Sequence, residues 1–238
     1  MRKLIEKPRA VAGMTVTGID EDCRLYERHR CDYHLRLVEP AQPSRTEVQA
    51  FIANAYRRVF DAEVRVFYPS LVALHSSDDC LQGAAGARHA DGQYLFLEQY
   101  LDVPVEQAIR LFAGIGVSRD KVVELGNLSV ARPALTYPFI SLIGAWLQTY
   151  GIEWLVFALT RTLQKVFSRA GVELVDLGAA EPSRLQRSAN HWGSYYEHGP
   201  RVMAARLNPG LVNFQLHHPS RRRLQRRDSE QSAIICPG

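Results

Sequence analysis

One carboxylate, Glu124, stands inside an otherwise apolar run that is rich in β-branched residues. This run, Val122-Val123-Glu124-Leu125-Gly126-Asn127-Leu128-Ser129-Val130, is typical of a strand. Burial disfavours the charged form of a carboxyl group and raises its pKa, which suits a general base near neutral pH. The alternative is a structural ion pair between Glu124 and Arg88 across the sheet. The sequence leaves both interpretations open.

Three other features carry side chains suited to binding. Arg88 ends a run of small residues that favours close packing or the approach of a ligand, and its guanidinium can hold a carboxylate through two hydrogen bonds. Asn127 is unusual in a strand, so its side chain is expected to hydrogen-bond a substrate or a bulge. The aromatic turn at residues 192–196 can line a pocket, although such clusters more often belong to a core.

The apolar patterns around these residues predict an α/β fold with a mixed sheet. Strands are expected at residues 33–38, 71–75, 83–88, 122–130, 154–157, 172–177 and 202–207, the last of them at an edge of the sheet. Helices are expected at residues 46–60, from Pro104, at 139–149, after Thr160 and, briefly, from Pro182. The pattern of residues 94–101 does not decide whether they form a further strand.

The segment from residue 121 to residue 157 has the order strand, loop, helix, strand. Such a βαβ unit implies parallel strands joined by a right-handed crossover. Ligands of parallel sheets bind beyond the carboxyl ends of the strands, here near residues 128–137. We therefore expect the functional site there.

Composition is that of an ordinary soluble globular protein, with 46% hydrophobic and 23% charged residues. The net charge of +4 includes five arginines between residues 221 and 227, and removing these leaves a remainder of −1. The basic tail is therefore expected to be a solvated terminus, and no nucleic-acid partner is expected. The predicted organisation is an N-terminal extension at residues 1–30, one domain at 31–218 and a disordered tail at 219–238.

Cysteine spacing and hydropathy restrict the class of protein further. The four cysteines form no CxxC pair and show no metal-ligand spacing with the eight histidines, so reduced thiols and no metal are expected. The first residues lack the apolar core of a signal peptide, and no apolar run reaches the length of a membrane span. These features predict a cytoplasmic protein.

Several motifs occur in an order that resembles the thermostable hemolysin family, a group similar to the GNAT acyltransferases. The motifs are Phe67-Tyr68-Pro69-x-Leu71, Ala84-Ala85-Gly86-x-Arg88, Leu95-Phe96-Leu97-Glu98-x-Tyr100-Leu101-Asp102-x-Pro104-x-Glu106, Val123-Glu124-x-Gly126-Asn127-Leu128, Trp154-x-Val156-Phe157, Phe167-x-Arg169-x-Gly171 and Trp192-Gly193-x-Tyr195-Tyr196. The resemblance covers about residues 30–207 and implies a GNAT-like mixed central sheet flanked by helices.

A weaker similarity connects two of these segments to acyl-homoserine-lactone synthases. Gly86-x-Arg88 is comparable to an Arg that follows a Gly on a strand of those enzymes. Residues 124–127 are comparable to their Glu-x-Ser-Arg strand, although the Ser and the Arg are replaced here.

The resemblance implies an N-acyltransferase that moves an acyl group from a thioester to a small amine or amino-acid-like acceptor in small-molecule or signal biosynthesis. Glu124 and Glu98 would handle the amine, and Arg88 would hold a carboxylate of the acceptor. The backbone of Leu128 and Val130 would bind the thioester carbonyl. Further contacts to the substrate are expected from Asn127, Tyr100, Trp192 and Tyr195. Contacts to the acyl donor are expected from Arg132 and Ser129.

The loop at residues 131–138 bears on the acyl donor. GNAT enzymes that use coenzyme A hold its pyrophosphate in a glycine-containing nest of backbone N–H groups at the start of the long helix. This loop has no glycine, and Pro133 and Pro138 lack an N–H. An acyl carrier protein, whose phosphopantetheine arm has no pyrophosphate, suits the loop better than acyl-CoA. We expect an acyl thioester as co-substrate and no tightly bound cofactor.

Two other functions stay open at this point. The lack of glycine in the loop is also compatible with a catalytically degenerate domain that binds a ligand or a partner. The family name itself suggests a membrane-active hemolysin, against which the absence of a signal, a spanning helix and an amphipathic lytic stretch argues.

Overall fold

The computed structural model describes the backbone of residues 33–207 and the side chains of this range except those of residues 186–190. Its seven strands are β1 Tyr33–Val38, β2 Ser70–Ser76, β3 Leu81–His89, β4 Val122–Val130, β5 Trp154–Leu159, β6 Leu174–Ala179 and β7 Arg201–Arg206. They form one sheet in the order β1-β2-β3-β4-β5-β7-β6. Strands β4 and β5 are parallel and all other neighbours are antiparallel. The predicted N-terminal extension and basic tail lie outside the described residues.

In the described part of the chain, four α-helices cover the two faces of the sheet: α1 Arg45–Phe60, α2 Val105–Ala113, α3 Thr136–Gln148 and α4 Arg161–Arg169. Helices α1 and α2 pack on one face and α3 and α4 on the other, each against its own cluster of buried apolar side chains. The amphipathic pattern of α1 places Val48, Ile52 and Phe60 in the first cluster. The mixed sheet flanked by helices confirms the predicted fold class.

Two predicted features differ from the structure. Strand β7 lies between β5 and β6, and not at an edge, so its residues Val202 to Ala205 are buried on both sides of the strand. Helix α3 begins at Thr136, before Pro138 and not after it. A proline is tolerated in the first turn of a helix, because the N–H that it lacks has no partner within the helix there.

Residues 94–101 contain a 3-10 helix and no strand, and a second 3-10 helix lies on the same α1–α2 face of the sheet. One spans Phe96–Tyr100 and another Tyr195–His198; we call them the 96–100 turn and the 195–198 turn. The chain before the second turn passes directly over the end of α1. A Cβ at Gly193 would lie 2.0 Å from the Phe60 carbonyl oxygen, and the φ of Gly193 is +51°. Only glycine fits this crossing.

Two negative findings apply to the described part of the chain. Among residues 33–207, no helix combines the length and the apolar character that a membrane span requires. Within the same range, no group of three or more His, Cys, Asp or Glu side chains is placed to hold a metal ion.

Candidate active site

Strands β4 and β5 run side by side only at their beginnings. Their register pairs Val122 with Trp154, Val123 with Leu155 and Glu124 with Val156, and no pair follows. Beyond these pairs, β5 continues its pairing with β7 to Leu159, while β4 continues beside β3 to Val130. The two strands therefore diverge toward their carboxyl ends and leave a gap in the sheet, which we call the β4–β5 gap.

A bulge in β4 accompanies this divergence. The register of β3 and β4 shifts by one residue between the pairs Ala84–Ser129 and Gly86–Gly126. Asn127 is located at the shift and has a φ of +50°, in the left-handed region that asparagine tolerates better than most residues. The sequence singled out Asn127 as unusual in a strand, and the bulge is the structural counterpart. A bulge bends its strand and turns the backbone that follows it.

The backbone groups of Leu128 and Val130 face the β4–β5 gap. The Ala131 N–H donates to the Gln82 carbonyl oxygen at 2.8 Å, so the backbone of Ala131 faces the β3 side. Backbone groups alternate in direction along a strand, and those of Val130 and Leu128 therefore point to the β5 side. Within residues 33–207, no β5 residue is in register with either. Neither residue therefore has a ladder partner on β5 among the described residues.

The side chains at the bulge are buried. Asn127 is fully buried, and neither atom of its side-chain amide has a hydrogen-bond partner within residues 33–207. The Ser129 hydroxyl, predicted to contact the donor, is fully buried and donates to the Asn127 carbonyl oxygen at 3.2 Å. Leaving a buried amide without partners costs free energy, which makes Asn127 a candidate ligand-binding side chain.

Glu124 is 1% exposed and lies beneath the 96–100 turn. Its carboxylate accepts hydrogen bonds from the backbone N–H of Phe96 at 2.9 Å and of Leu97 at 2.8 Å. Burial raises the pKa of Glu124 to about 6, although these two N–H groups and the Tyr68 hydroxyl oppose the increase. A carboxylate with this pKa is mostly ionised at neutral pH and still accepts protons readily.

Arg88 is in register with Glu124 across β3 and β4, but the two side chains form no ion pair. The half-buried guanidinium donates to the Tyr94 carbonyl oxygen at 3.2 Å and stands 5.1 Å from the centre of the Tyr68 ring. No described carboxylate therefore forms an ion pair with Arg88, although the positive charge of Arg88 acts to lower the pKa of Glu124. The alternative interpretation, a simple pair between Arg88 and Glu124, does not describe the contacts of either group.

Glu98, the second predicted amine ligand, is already saturated with donors. Arg119 binds both carboxylate oxygens, at 2.6 and 2.8 Å, and the backbone N–H groups of Leu95 and Val105 donate at 2.8 and 2.9 Å. Burial raises the pKa of Glu98, but these four contacts outweigh it, and the pKa lies below its usual value. This geometry ties together the loop that carries the 96–100 turn.

Aromatic side chains cover the α1–α2 face beside Glu124. Trp192 and Tyr195 are buried and pack on each other with ring centres 6.0 Å apart. The Tyr195 hydroxyl donates to the Ala158 carbonyl oxygen at 3.3 Å, and the hydroxyls of Tyr100 and Tyr196 lie 2.7 Å apart. Sequence analysis predicted Trp192, Tyr195 and Tyr100 as substrate contacts. Their rings belong to the core, and the hydroxyls of Tyr195 and Tyr100 both bond to other parts of the protein.

The loop after β4 leads into α3 on the outer side of the gap. Arg132 is exposed and donates to the Tyr33 hydroxyl at 2.9 Å. Helix α3 starts with no side-chain cap, and the fully buried Thr136 hydroxyl has no partner within residues 33–207. Sequence analysis missed Thr136, and it also missed Tyr68 as a partner of Glu124. No local pattern around Tyr68 indicates its contact with Glu124, because the two residues are 56 positions apart in the sequence.

Comparisons with known proteins agree with the resemblance seen in the sequence. A family model described as thermostable hemolysin matches residues 38–211. No curated protein matches the chain.

The fold matches solved structures. The AHL synthase LasI superposes with a TM-score of 0.53 at 11% identity, covering 79% of this chain and 98% of LasI. TofI in an apo form gives 0.50 at 13% identity, with 75% and 94% covered. The CoA-dependent acyl-homoserine lactone synthase BjaI, with MTA, gives 0.50 at 14% identity, with 76% and 86% covered. These likenesses confirm the predicted fold.

Proposed function

The chain belongs to the thermostable hemolysin family and has the fold of the AHL synthases, and we propose that it is an N-acyltransferase. The reaction moves an acyl group from a thioester to a small amine. The nitrogen attacks the thioester carbonyl carbon, a C–N bond forms, the C–S bond breaks and a thiol leaves. One proton passes from the nitrogen to a base, and the thiolate takes up one proton.

The observation that supports the proposal is the β4–β5 gap, in which Leu128 and Val130 have no β5 residue in register among residues 33–207. The carbonyl oxygen of a thioester becomes negatively charged as the amine attacks it. Fixed backbone donors stabilise that charge without reorganisation, which is the largest single contribution to catalysis in many acyl-transfer sites. We propose that the backbone N–H groups of Leu128 and Val130 take this role, with the unpartnered amide of Asn127 as a third candidate donor.

Glu124 is proposed as the base that takes the proton of the attacking amine. It lies on β4 next to the gap, and its pKa of about 6 suits proton uptake near neutral pH. The 96–100 turn covers the carboxylate of Glu124. We therefore propose that the Tyr68 hydroxyl, which hydrogen-bonds to this carboxylate, passes the proton from the amine to Glu124. Glu98 is assigned no contact with the amine, since its oxygens already accept from Arg119 and two backbone groups.

An acyl carrier protein is the proposed donor, in a cytoplasmic biosynthetic reaction. The support is the loop at 131–138, which has no glycine and contains two prolines, so it offers few backbone donors to a pyrophosphate. Arg132 and the first turn of α3 still present one cation and a helix amino end to a single phosphate, such as that of a phosphopantetheine arm.

The proposal is tested by incubating the purified protein with acyl-carrier-protein and acyl-CoA thioesters and a panel of amines, with release of free thiol and product mass as readouts. Turnover with carrier protein alone supports both the reaction and the account of the loop. Turnover with acyl-CoA keeps the reaction and contradicts the account of the loop. Ligand binding without thiol release contradicts catalysis, and leakage of liposomes supports a membrane-active protein instead.

Arg88 is expected to select acceptors that carry a carboxylate. Its guanidinium has no carboxylate partner among the described residues, so Arg88→Met should raise the KM of an amino-acid acceptor by about 10- to 100-fold. The KM of an uncharged amine should change little. Arg58→Met, on the exposed side of α1, is the matched control. Equal effects on charged and uncharged acceptors would contradict this role.

A further inference from the structure

We infer that the 96–100 turn and the 195–198 turn together form a bracket across the β4–β5 gap, closed by the hydrogen bond between Tyr100 and Tyr196. Each turn is bound to one of the two diverging strands, and the two tyrosines join the turns. The inference rests on the proposed function only in its consequence for turnover. The bracket itself is a structural claim that can be tested without any substrate.

The first half of the bracket holds β4. Glu124, on β4, accepts hydrogen bonds from two consecutive backbone N–H groups of the 96–100 turn, those of Phe96 and Leu97. The bond from Leu97 is buried and that from Phe96 is partly buried, and both involve an ionisable carboxylate, so they are stronger than bonds between neutral groups. The turn therefore follows any movement of β4 at Glu124, which is the last β4 residue in register with β5.

The second half holds β5. The Tyr195 hydroxyl donates to the Ala158 carbonyl oxygen. The Leu207 N–H donates to the Glu153 carbonyl oxygen at 2.7 Å, so the carbonyl of Glu153 points away from β4. By alternation along the strand, the carbonyl of Ala158 points toward β4. The carbonyl of Ala158, two residues beyond Val156, would accept a hydrogen bond from β4 if the parallel pairing continued. Tyr195 donates to this carbonyl instead.

The link between the halves is a pair of phenols, one buried and one partly buried. Tyr100 ends the 96–100 turn and is 4% exposed, and its hydroxyl lies 2.7 Å from that of Tyr196. Burial raises the pKa of Tyr196 to about 12 and moves the pKa of Tyr100 in the same direction. Both phenols therefore stay protonated across the pH range of an assay, so neither hydroxyl is lost as a donor by titration. The Tyr196 ring also packs edge-on against Tyr195.

The bracket fixes how far β4 and β5 stand apart. The N–H groups of Leu128 and Val130 are on β4, while the opposite wall of the gap is β5. A misplacement of reacting groups by a fraction of an ångström to an ångström lowers a rate by one or two powers of ten. Tyr100 and Tyr196 are accordingly positioning residues, which act through the strands and not by contact with substrate.

The first test is hydrogen–deuterium exchange of the full chain, with Tyr100→Phe, Tyr196→Phe and the double variant. Each change removes one hydroxyl and keeps the ring. Exchange at residues 122–130 should become about tenfold faster in each variant, because local opening then requires one bond less. The double variant should resemble each single one, since both remove the same bond. Tyr150→Phe, in the turn between α3 and the start of β5, is the matched control, and its ring packs on Trp146.

The second test uses the thioester assay. The kcat should fall about tenfold in both single variants while the KM of the acceptor stays within twofold, and Tyr150→Phe should be normal. Unchanged exchange at residues 122–130 in both single variants would overturn the bracket. Additive exchange effects in the double variant would overturn the claim that the two hydroxyls form one link. If the wild type shows no turnover, the proposed function fails, and the exchange results still decide the bracket.

Discussion

Replacing Glu124 by glutamine is expected to lower the kcat/KM of thioester turnover by about 100- to 1,000-fold, the usual contribution of a general base. Glutamine has nearly the same shape, but it cannot take up a proton. Only one of its two terminal atoms accepts a hydrogen bond, whereas Glu124 accepts from Phe96 and from Leu97. Initial rates of thiol release measure the effect, and Glu153→Gln, at an exposed position before β5, is the control.

The pH dependence gives a second signature of Glu124. Its pKa is raised from 4.5 to about 6 in the folded protein, so the native state holds this proton more tightly than the unfolded state does. The stability from this group is present below pH 4.5 and is lost as the pH rises through about 6. This contribution to the free energy of unfolding is about 2 kcal/mol, because a pKa difference of one between the folded and unfolded states corresponds to about 1.36 kcal/mol. Activity should change in the opposite direction, rising through pH 6 as the base ionises.

Two measurements separate these effects. Urea unfolding of the wild type and of Glu124→Gln at pH 4, 5.5 and 7 isolates the contribution of Glu124, because all other carboxylates are common to both proteins. The kcat/KM of the wild type between pH 5 and 8 gives the activity profile. Near wild-type rates in a folded Glu124→Gln variant would eliminate Glu124 as the base.

Replacing Arg119 by methionine is expected to destabilise the protein by about 3–5 kcal/mol. Its side chain is 26% exposed and pairs with Glu98, which is 2% exposed, and with Glu106. It also donates to the carbonyl oxygens of Ala90 and Gln93 at 2.9 and 2.6 Å. Without Arg119, the Glu98 carboxylate is left buried with only backbone donors. Because Glu98 anchors the loop before α2, the 96–100 turn above Glu124 should loosen as well.

The matched control is Arg201→Met. Arg201 pairs with Asp176, but the two side chains are 42% and 45% exposed, and exposed pairs contribute only about 0–1 kcal/mol. Chemical unfolding of the two variants at pH 7 compares the pairs directly. A loss for Arg119→Met no larger than that for Arg201→Met would contradict the role of this cluster in holding the loop.

Sequence reasoning predicted strand β4 well because the relevant information is local. The β-branched run from Val122 to Val130 specifies a buried strand, and an asparagine inside it signals an irregularity, which the structure shows as the bulge at Asn127. The expected βαβ unit follows from the helix between two apolar runs, and β4 and β5 are indeed parallel. The roles of Leu128 and Val130 remain proposals.

The partners of the charged groups could not be obtained in this way. The sequence offered Arg88 as the partner of Glu124, whereas Glu124 binds a turn 27 residues earlier in the chain. Glu98 was expected to hold an amine, whereas Arg119 occupies it. Such choices depend on which loop folds over the sheet and on the distances left between side chains, and neither quantity is encoded in a local pattern.

The sequence by itself determined the family, the fold class and most strands and helices, because hydrophobic periodicity and turn residues act within a few positions along the chain. The tertiary structure alone decided that β7 lies inside the sheet, that Glu124 is covered, and that β4 and β5 diverge after Glu124 and Val156. The link between Tyr100 and Tyr196 joins residues 96 positions apart. Burial and hydrogen bonding between distant segments settle only when the whole core packs, so no local pattern reveals them.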